Sequence, residues 1–257
     1  MDKKKVAEYI KERLEKQGAM IFSLIDPLDY KNEEEIFRTA KNLNEGNVDC
    51  ILIGGSIGVQ GHYLDEIIKG IKSISSIPII LFPGNIGTLS PFADAVYFMS
   101  LLNSRNNYWI TRAQMLAAPV VKKIGIEALS VAYLVVEPGG SVGFVGEVDL
   151  LPRSNLKVAS AYAMAAEIMG FKYILTDAGS NPDRHIPLPF IKAVRNSTSL
   201  PYIVAGGIKK PEQAKSIIEA GADIVQIGTA FEQDNGLEKI KAFVNAVREA
   251  GKKRKQY

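Results

Sequence analysis

Two consecutive strand-to-glycine turns near the end of the chain constrain its fold more than any other feature. Pro201 to Ile208 reads Pro-Tyr-Ile-Val-Ala-Gly-Gly-Ile, and after a helical interval Ala222 to Ala230 reads Ala-Asp-Ile-Val-Gln-Ile-Gly-Thr-Ala. Each is a short run rich in Ile and Val that closes on glycine, the pattern of a fully buried parallel strand. Glycine at the strand end lets the backbone approach a ligand with no Cβ in the way. Free N–H groups at such turns, and at the start of a following helix, bind phosphate. One such turn alone is an ordinary tight connection. Two in successive units, about twenty residues apart, match the phosphate site after strands seven and eight of a (β/α)8 barrel.

The rest of the chain repeats the same alternation. Apolar runs at 19–25, 48–53, 77–82, 95–99, 129–136 and 173–176 read as six earlier strands. Amphipathic or Ala-rich stretches at 2–17, 33–44, 62–73, 108–123, 156–169, 188–195, 211–220 and 236–249 read as helices. Strict alternation argues for an α/β fold with parallel strands. Eight strands with terminal phosphate turns favour a closed TIM barrel, and no dinucleotide-type glycine fingerprint follows the first strand. The 257 residues show no composition break and read as a single domain, 1–257. Between strands three and four lie Pro83, Gly84, Gly87 and Pro91, which leave no room for a regular helix. The third helix is therefore expected to be missing or replaced by an irregular segment, opening one side of the barrel. Strand five is expected to run into a long glycine-rich loop, 137–146.

Composition excludes several function classes. The net charge is only +3, which gives no argument for nucleic acid. The single cysteine, Cys50, lies in an apolar run and reads as inert core in a reducing, cytoplasmic protein. The N-terminus is a charged amphipathic pattern without a signal-peptide core, and no apolar run is long enough to span a membrane. The basic tail Lys252-Lys253-Arg254-Lys255 after Gly251 reads as a solvated helix end. Its functional alternative is peripheral contact with an anionic lipid surface.

In a barrel the chemistry gathers where strands end. Strand one delivers Asp26, which can act as base, metal ligand or helix cap, and strand two delivers Ser56. A carboxylate and a hydroxyl leave positions open for water and phosphate oxygens, which suits Mg2+. Asn85, Ser100, Asn103, Arg105 and Glu137 follow from strands three to five. Strand six delivers Asp177, Ser180 and Asn181. No His/Cys cluster suggests zinc, and His62 and His185 read as structural or solvated. No lysine ends a strand, so a Schiff-base mechanism lacks its residue. A metal, a phosphate cradle and acidic groups suit chemistry on phosphorylated substrates.

At this point the residues become specific. The run 102–106 (Leu-Asn-Ser-Arg-Asn), the run 133–143 (Tyr-Leu-Val-Val-Glu-Pro-Gly-Gly-Ser-Val-Gly), Asp26-Pro27, Gly54-Gly55-Ser56 and the Gly206-Gly207 and Gly228-Thr229 turns resemble the geranylgeranylglyceryl phosphate synthase family. The resemblance covers roughly 19–245, and the long strand-five segment is similar to the larger, mostly archaeal group rather than the bacterial heptaprenyl group. It implies a Mg2+-dependent prenyltransferase. The reaction joins geranylgeranyl diphosphate to the 3-hydroxyl of sn-glycerol 1-phosphate, forming the first ether bond of archaeal-type lipids. It implies Asp26 and Ser56 as metal ligands. It also implies a glycerol-phosphate site made of Leu175, Thr176, Asp177, Ala178, Gly179, Ser180, Asn181, Gly206, Gly207, Gly228 and Thr229, with Asp177 catalytic. A dimer or hexamer is implied as well. The chain departs from the family's Tyr-x-Glu-x-Gly-Ser-Gly pattern: Leu175 stands for the tyrosine, Asp177 for the glutamate and Asn181 for the last glycine. Two rival readings use the same features: a phosphosugar isomerase or lyase barrel, and a non-catalytic relative that binds prenyl diphosphate.

Overall fold

The computed structural model describes residues 5–55, 58–233 and 236–255. Eight parallel strands close into a barrel in chain order. They are β1 (Met20–Ile25), β2 (Cys50–Ile53), β3 (Ile79–Leu81), β4 (Ala95–Leu101), β5 (Glu127–Val135), β6 (Tyr173–Asp177), β7 (Tyr202–Ala205) and β8 (Ile224–Ile227). The strands are apolar on both faces because both faces are covered. Phe22, Leu52, Tyr97, Tyr133, Leu175 and Ile224 fill the interior. Their chain neighbours Ile21, Ile51, Val96, Ala132, Ile174 and Val225 pack outward against the helices. This two-residue period is what a barrel requires. Cys50 belongs to the interior, and burial raises its thiol pKa well above the usual value.

Helix α1 (Val6–Gln17) closes the N-terminal end of the barrel by adding Val6 and Ile10 to the interior cluster. The expected start of this helix at residues 2–4 lies outside the described residues. Its N-terminus is bound by Glu127, which accepts from the N–H groups of Val6 (2.5 Å) and Ala7 (3.3 Å). A carboxylate there also complements the helix dipole. The outer helices α2 (Glu33–Glu45), α3 (Gly61–Ile74), α4 (Ala113–Ile124), α6 (Leu156–Ile168), α7 (Leu188–Arg195), α8 (Pro211–Glu219) and α10 (Leu237–Arg254) lie near their expected positions. None forms between β3 and β4, as expected from the prolines and glycines. That segment is held by Thr88 Oγ1 donating to the Val59 carbonyl (3.1 Å) and Ser90 Oγ donating to Asp65 Oδ1 (2.6 Å).

Three expectations need correction. The helix expected from 108 begins with a π-helical turn, Tyr108–Arg112, before α4. The glycine-rich stretch after β5 contains a short helix, α5 (Gly140–Val145), rather than an uninterrupted loop. The last helix does not stop before Gly251 but continues to Arg254. Gly251 is a contact residue rather than a terminator: a Cβ there would meet the Gln17 carbonyl at 2.5 Å and the Ala19 nitrogen at 2.7 Å. The absence of a side chain lets α10 cross the α1–β1 junction at backbone distance. Within the basic tail, Arg254 is accordingly tied to the barrel. Its Nη2 donates to Asp223 Oδ1 (3.0 Å) and its Nη1 to the Ala222 carbonyl (2.5 Å). Among the described residues no helix is long and apolar enough to cross a membrane.

Candidate active site

The C-terminal ends of the strands surround a polar mouth of about 370 Å3. Its floor is the topmost interior layer, including Leu24, Phe82, Met99, Tyr133, Ala205 and Gln226. Asp177 ends β6 in this layer and is buried. Its Oδ1 accepts from the Gly179 N–H (2.7 Å) and its Oδ2 from the Tyr133 hydroxyl on β5 (2.7 Å). Burial pushes the Asp177 carboxyl above the ordinary aspartate range, and the two hydrogen bonds oppose that rise. A carboxylate held in place by two donors, with its proton affinity raised, suits proton acceptance.

The turn after β6 is set by backbone chemistry. Asn181 takes a positive φ of 45°, which asparagine tolerates better than most residues. Asn181 and Ser180 line the mouth together with Gly179. Leu175, Thr176 and Ala178 do not. Leu175 packs in the interior, Ala178 in the outer core, and Thr176 Oγ1 shares a 2.8 Å hydrogen bond with the Tyr202 hydroxyl. Strand alternation explains the split, since only every second residue of β6 faces inward.

Gly206, Gly207, Gly228 and Thr229 all line the mouth. Gly207 has φ 71°, and a Cβ there would stand 2.6 Å from Arg184 backbone, so both conformation and space demand glycine. The N–H groups of Gly207, Gly228 and Thr229 find no acceptor among the described residues. Free N–H groups at two adjacent strand ends form a concavity suited to an anion. Lys209 and Lys239 also reach the mouth. Neither ends a strand, so they bring positive charge to the rim from the segments beyond β7 and β8. Lys239 Nζ donates to the Ala230 carbonyl (2.7 Å).

Three carboxylates line the wall near β1: Asp26, Asp29 and Glu232. Asp26 caps the short turn Pro27–Asp29, its Oδ1 accepting from the Leu28 N–H at 3.3 Å. It therefore serves as a cap while also facing the mouth. Burial and then the charge of Asp29 raise its pKa. Glu232, on the short helix α9 (Thr229–Gln233), is pushed up to about 7 by burial first and then by Asp29. Ser56 lies outside the described residues. No group of three His, Cys, Asp or Glu among the described residues is arranged to hold a metal by itself.

Several expected rim residues serve the scaffold instead. Ser100 Oγ donates to the Ile110 carbonyl (2.7 Å). Asn103 Nδ2 donates to the Val135 and Asp149 carbonyls (2.9 Å each), fastening the segment after β5. Arg105 pairs with exposed Asp149 at 3.4 Å. Arg153 Nη1 donates to the Glu137 carbonyl (3.2 Å) and its backbone N–H to the Glu137 carboxylate (3.2 Å).

Beside the mouth, where the third outer helix is absent, lies an apolar cleft of about 120 Å3. It runs between the β3–β4 segment and α4, past Ile86, Leu89, Phe98, Trp109 and Ala117. Pro83, Gly84, Met99, Tyr133 and Val142 line both spaces, so the polar mouth and the apolar cleft share a wall.

The same barrel recurs in known proteins. The chain is 46% identical over 244 residues to the geranylgeranylglyceryl phosphate synthase of Pyrococcus horikoshii, covering 95% of each. It is 46% identical over 243 residues to that of Methanosphaera stadtmanae, covering 94% of this chain and 99% of the relative. The crystal structure of (S)-3-O-geranylgeranylglyceryl phosphate synthase from Thermoplasma acidophilum in complex with sn-glycerol-1-phosphate superposes with a TM-score of 0.91 at 36% identity. That match covers 96% of this chain and 100% of the other. The PcrB family model matches residues 10–247, from the first helix to the last. With every strand and both glycine turns inside that match, the chain belongs to the PcrB family.

Proposed function

We propose that the chain is a prenyltransferase that joins geranylgeranyl diphosphate to the 3-hydroxyl of sn-glycerol 1-phosphate and releases diphosphate. The observation that carries this reading is the shared wall between a polar, anion-binding mouth and an apolar cleft. One holds a small phosphorylated acceptor and the other a hydrocarbon tail. The Thermoplasma relative carrying sn-glycerol-1-phosphate supports the acceptor half.

The free N–H groups of Gly207, Gly228 and Thr229 bind the acceptor phosphate, with Lys209 adding positive charge. This fixes the acceptor and turns a two-substrate encounter into a positioned one. Asp177, locked by Tyr133 and Gly179, faces the acceptor hydroxyl. The C1–O bond of the allylic diphosphate breaks and its electron pair leaves with diphosphate. The acceptor oxygen forms the new bond to C1, and its proton passes to Asp177. The prenyl chain lies in the cleft, where burial contributes about 0.8 kcal/mol per CH2.

Asp26 faces the mouth with its pKa raised by burial and Asp29, so a cation beside it is electrostatically favoured. One or two carboxylates with substrate phosphate is the environment Mg2+ takes, and Asp26 with Ser56 would hold it. When bound, it supplies charge neutralisation for the departing diphosphate. For self-association, the outer faces of α4 and α6 offer exposed Met115 (61%), Leu116 (47%) and Ile168 (86%). We place a homo-oligomeric contact there, and a monomer in sedimentation equilibrium would remove it.

The test is mass spectrometry of products from sn-glycerol 1-phosphate and prenyl diphosphates of fifteen to thirty-five carbons, with and without Mg2+. A twenty-carbon ether formed only with Mg2+ is expected. Binding of prenyl diphosphate without any ether would instead favour a non-catalytic relative. Turnover of a phosphosugar would favour an isomerase or lyase.

A further inference from the structure

Gln226 is the only polar residue of β8, flanked by Ile224, Val225 and Ile227. It is 3% exposed, and its Oε1 has no hydrogen-bond partner among the described residues. Buried polar atoms are almost always partnered, so an orphan in the wall of a cavity calls for an explanation. The side chain lines the mouth beside Gly228. Register puts it on the same side of the sheet as the proton acceptor: Asp177 pairs with Ala205 of β7, and Ala205 pairs with Gln226. Ala205, with only a methyl group, leaves the space between the two polar groups open.

The missing partner must donate to a carbonyl oxygen. A phosphate dianion cannot, and a hydrocarbon tail cannot. An alcohol can, and it also accepts if the amide turns its NH2 inward. Two residues further along the chain, Gly228 begins the phosphate cradle. A group that reaches Gln226 is therefore bounded by Gly228 on one side and, across Ala205, by Asp177 on the other. On a three-carbon phosphate whose far hydroxyl reacts, that position belongs to the middle carbon.

We propose that Gln226 recognises the secondary hydroxyl of the glycerol phosphate acceptor and thereby selects acceptors that carry it. This rests on the acceptor assignment above. A site built to bond a hydroxyl rejects the analogue that lacks it, because its own polar group is then left unpaired.

The experiment compares sn-glycerol 1-phosphate with 3-hydroxypropyl phosphate, which lacks the secondary hydroxyl, on the wild-type chain and on Gln226→Leu and Gln226→Met. The wild type should prefer glycerol phosphate by roughly tenfold or more in kcat/KM. In both variants the preference should collapse to within about threefold, through a higher KM for glycerol phosphate. The KM for prenyl diphosphate should not move. Melting temperature should hold or rise, since an apolar isostere replaces an orphaned buried acceptor. A merely structural glutamine would lower the melting temperature and leave acceptor preference intact. Equal use of both acceptors by the wild type, or retained preference in both variants, overturns the assignment. Absence of any ether from the wild type is a different result: it removes the acceptor reading itself, and this inference with it.

Discussion

The two ends of the barrel hold their carboxylates in opposite conditions. At the N-terminal end, Asp49 is 1% exposed and accepts from the Ile21 N–H (2.8 Å) and from Arg248 Nη2 (2.7 Å). Asp223 accepts from Arg195 (2.8 Å), Arg254 (3.0 Å) and the Tyr202 N–H (2.8 Å). Each of these two negative charges has a guanidinium. At the C-terminal end, burial raises the pKa of Asp177, Asp26 and Glu232, and neutral or backbone donors are their only recorded hydrogen-bond partners among the described residues. One end uses its acids to lock helices to strands. The other keeps acids whose charge is costly until a proton or cation arrives, and strongly perturbed groups in a cleft mark chemistry.

The sharpest way to break this contrast is Asp177→Asn. The amide oxygen still accepts from Gly179 or Tyr133, so the fold should persist. Loss of the proton acceptor should lower kcat by about 100- to 10,000-fold with a melting temperature close to wild type. Steady-state kinetics beside thermal unfolding reads both. A variant with wild-type kcat would strip Asp177 of its role and leave the contrast one of environment only.

The mirror experiment at the other end is Asp49→Ala. Removing one partner of a buried ion pair leaves Arg248 uncompensated and should cost about 3–5 kcal/mol of stability. Below its melting temperature the variant should retain kcat within about twofold. Urea unfolding and an assay on the same preparation separate the two quantities. A loss of kcat with unchanged stability would contradict the division of labour between the ends.

The division was only partly legible in the sequence. Strands, their order and the absent third helix follow from apolar period, glycine and proline, which act locally. Gly206, Gly207, Gly228 and Asp177 were legible because strand ends announce themselves. Tyr133 and Gln226 are not legible as site residues, although Gln226 interrupts an apolar run and Tyr133 is in phase with interior residues. Their importance depends on register across neighbouring strands, which no single segment encodes. The resemblance implies Thr176 in the acceptor site as part of the 175–181 motif, yet strand alternation turns it to Tyr202. Gly251 looked like a helix end because its contact with Gln17 and Ala19 lies more than two hundred residues away in sequence. Glu232 is hidden for a related reason. It follows the strand-eight turn in an unremarkable helical pattern, and only the closed barrel brings it beside Asp26 and Asp29.

Glu232 gives the smallest of these effects and a pH signature. Its carboxyl titrates near 4.5 when unperturbed and is pushed up to about 7 in the folded chain. The folded state then binds more protons than the unfolded state between those values, so stability falls as pH rises through that window. A shift of that size corresponds to about 3 kcal/mol, fully expressed only above pH 7. Asp26 and Asp177, also raised, add slopes of the same sign above their own unperturbed values. In metal-free buffer Glu232→Gln should match the wild type near pH 4.5 and exceed it in urea unfolding at pH 8, by up to that amount. Asp49→Ala should show no such gain at either pH, because it breaks a buried ion pair with Arg248 instead of relieving a strained acid. If Glu232→Gln tracks the wild type across the whole range, the mouth does not hold Glu232 in strain. The electrostatic distinction between the two ends would then rest on Asp26 and Asp177 alone.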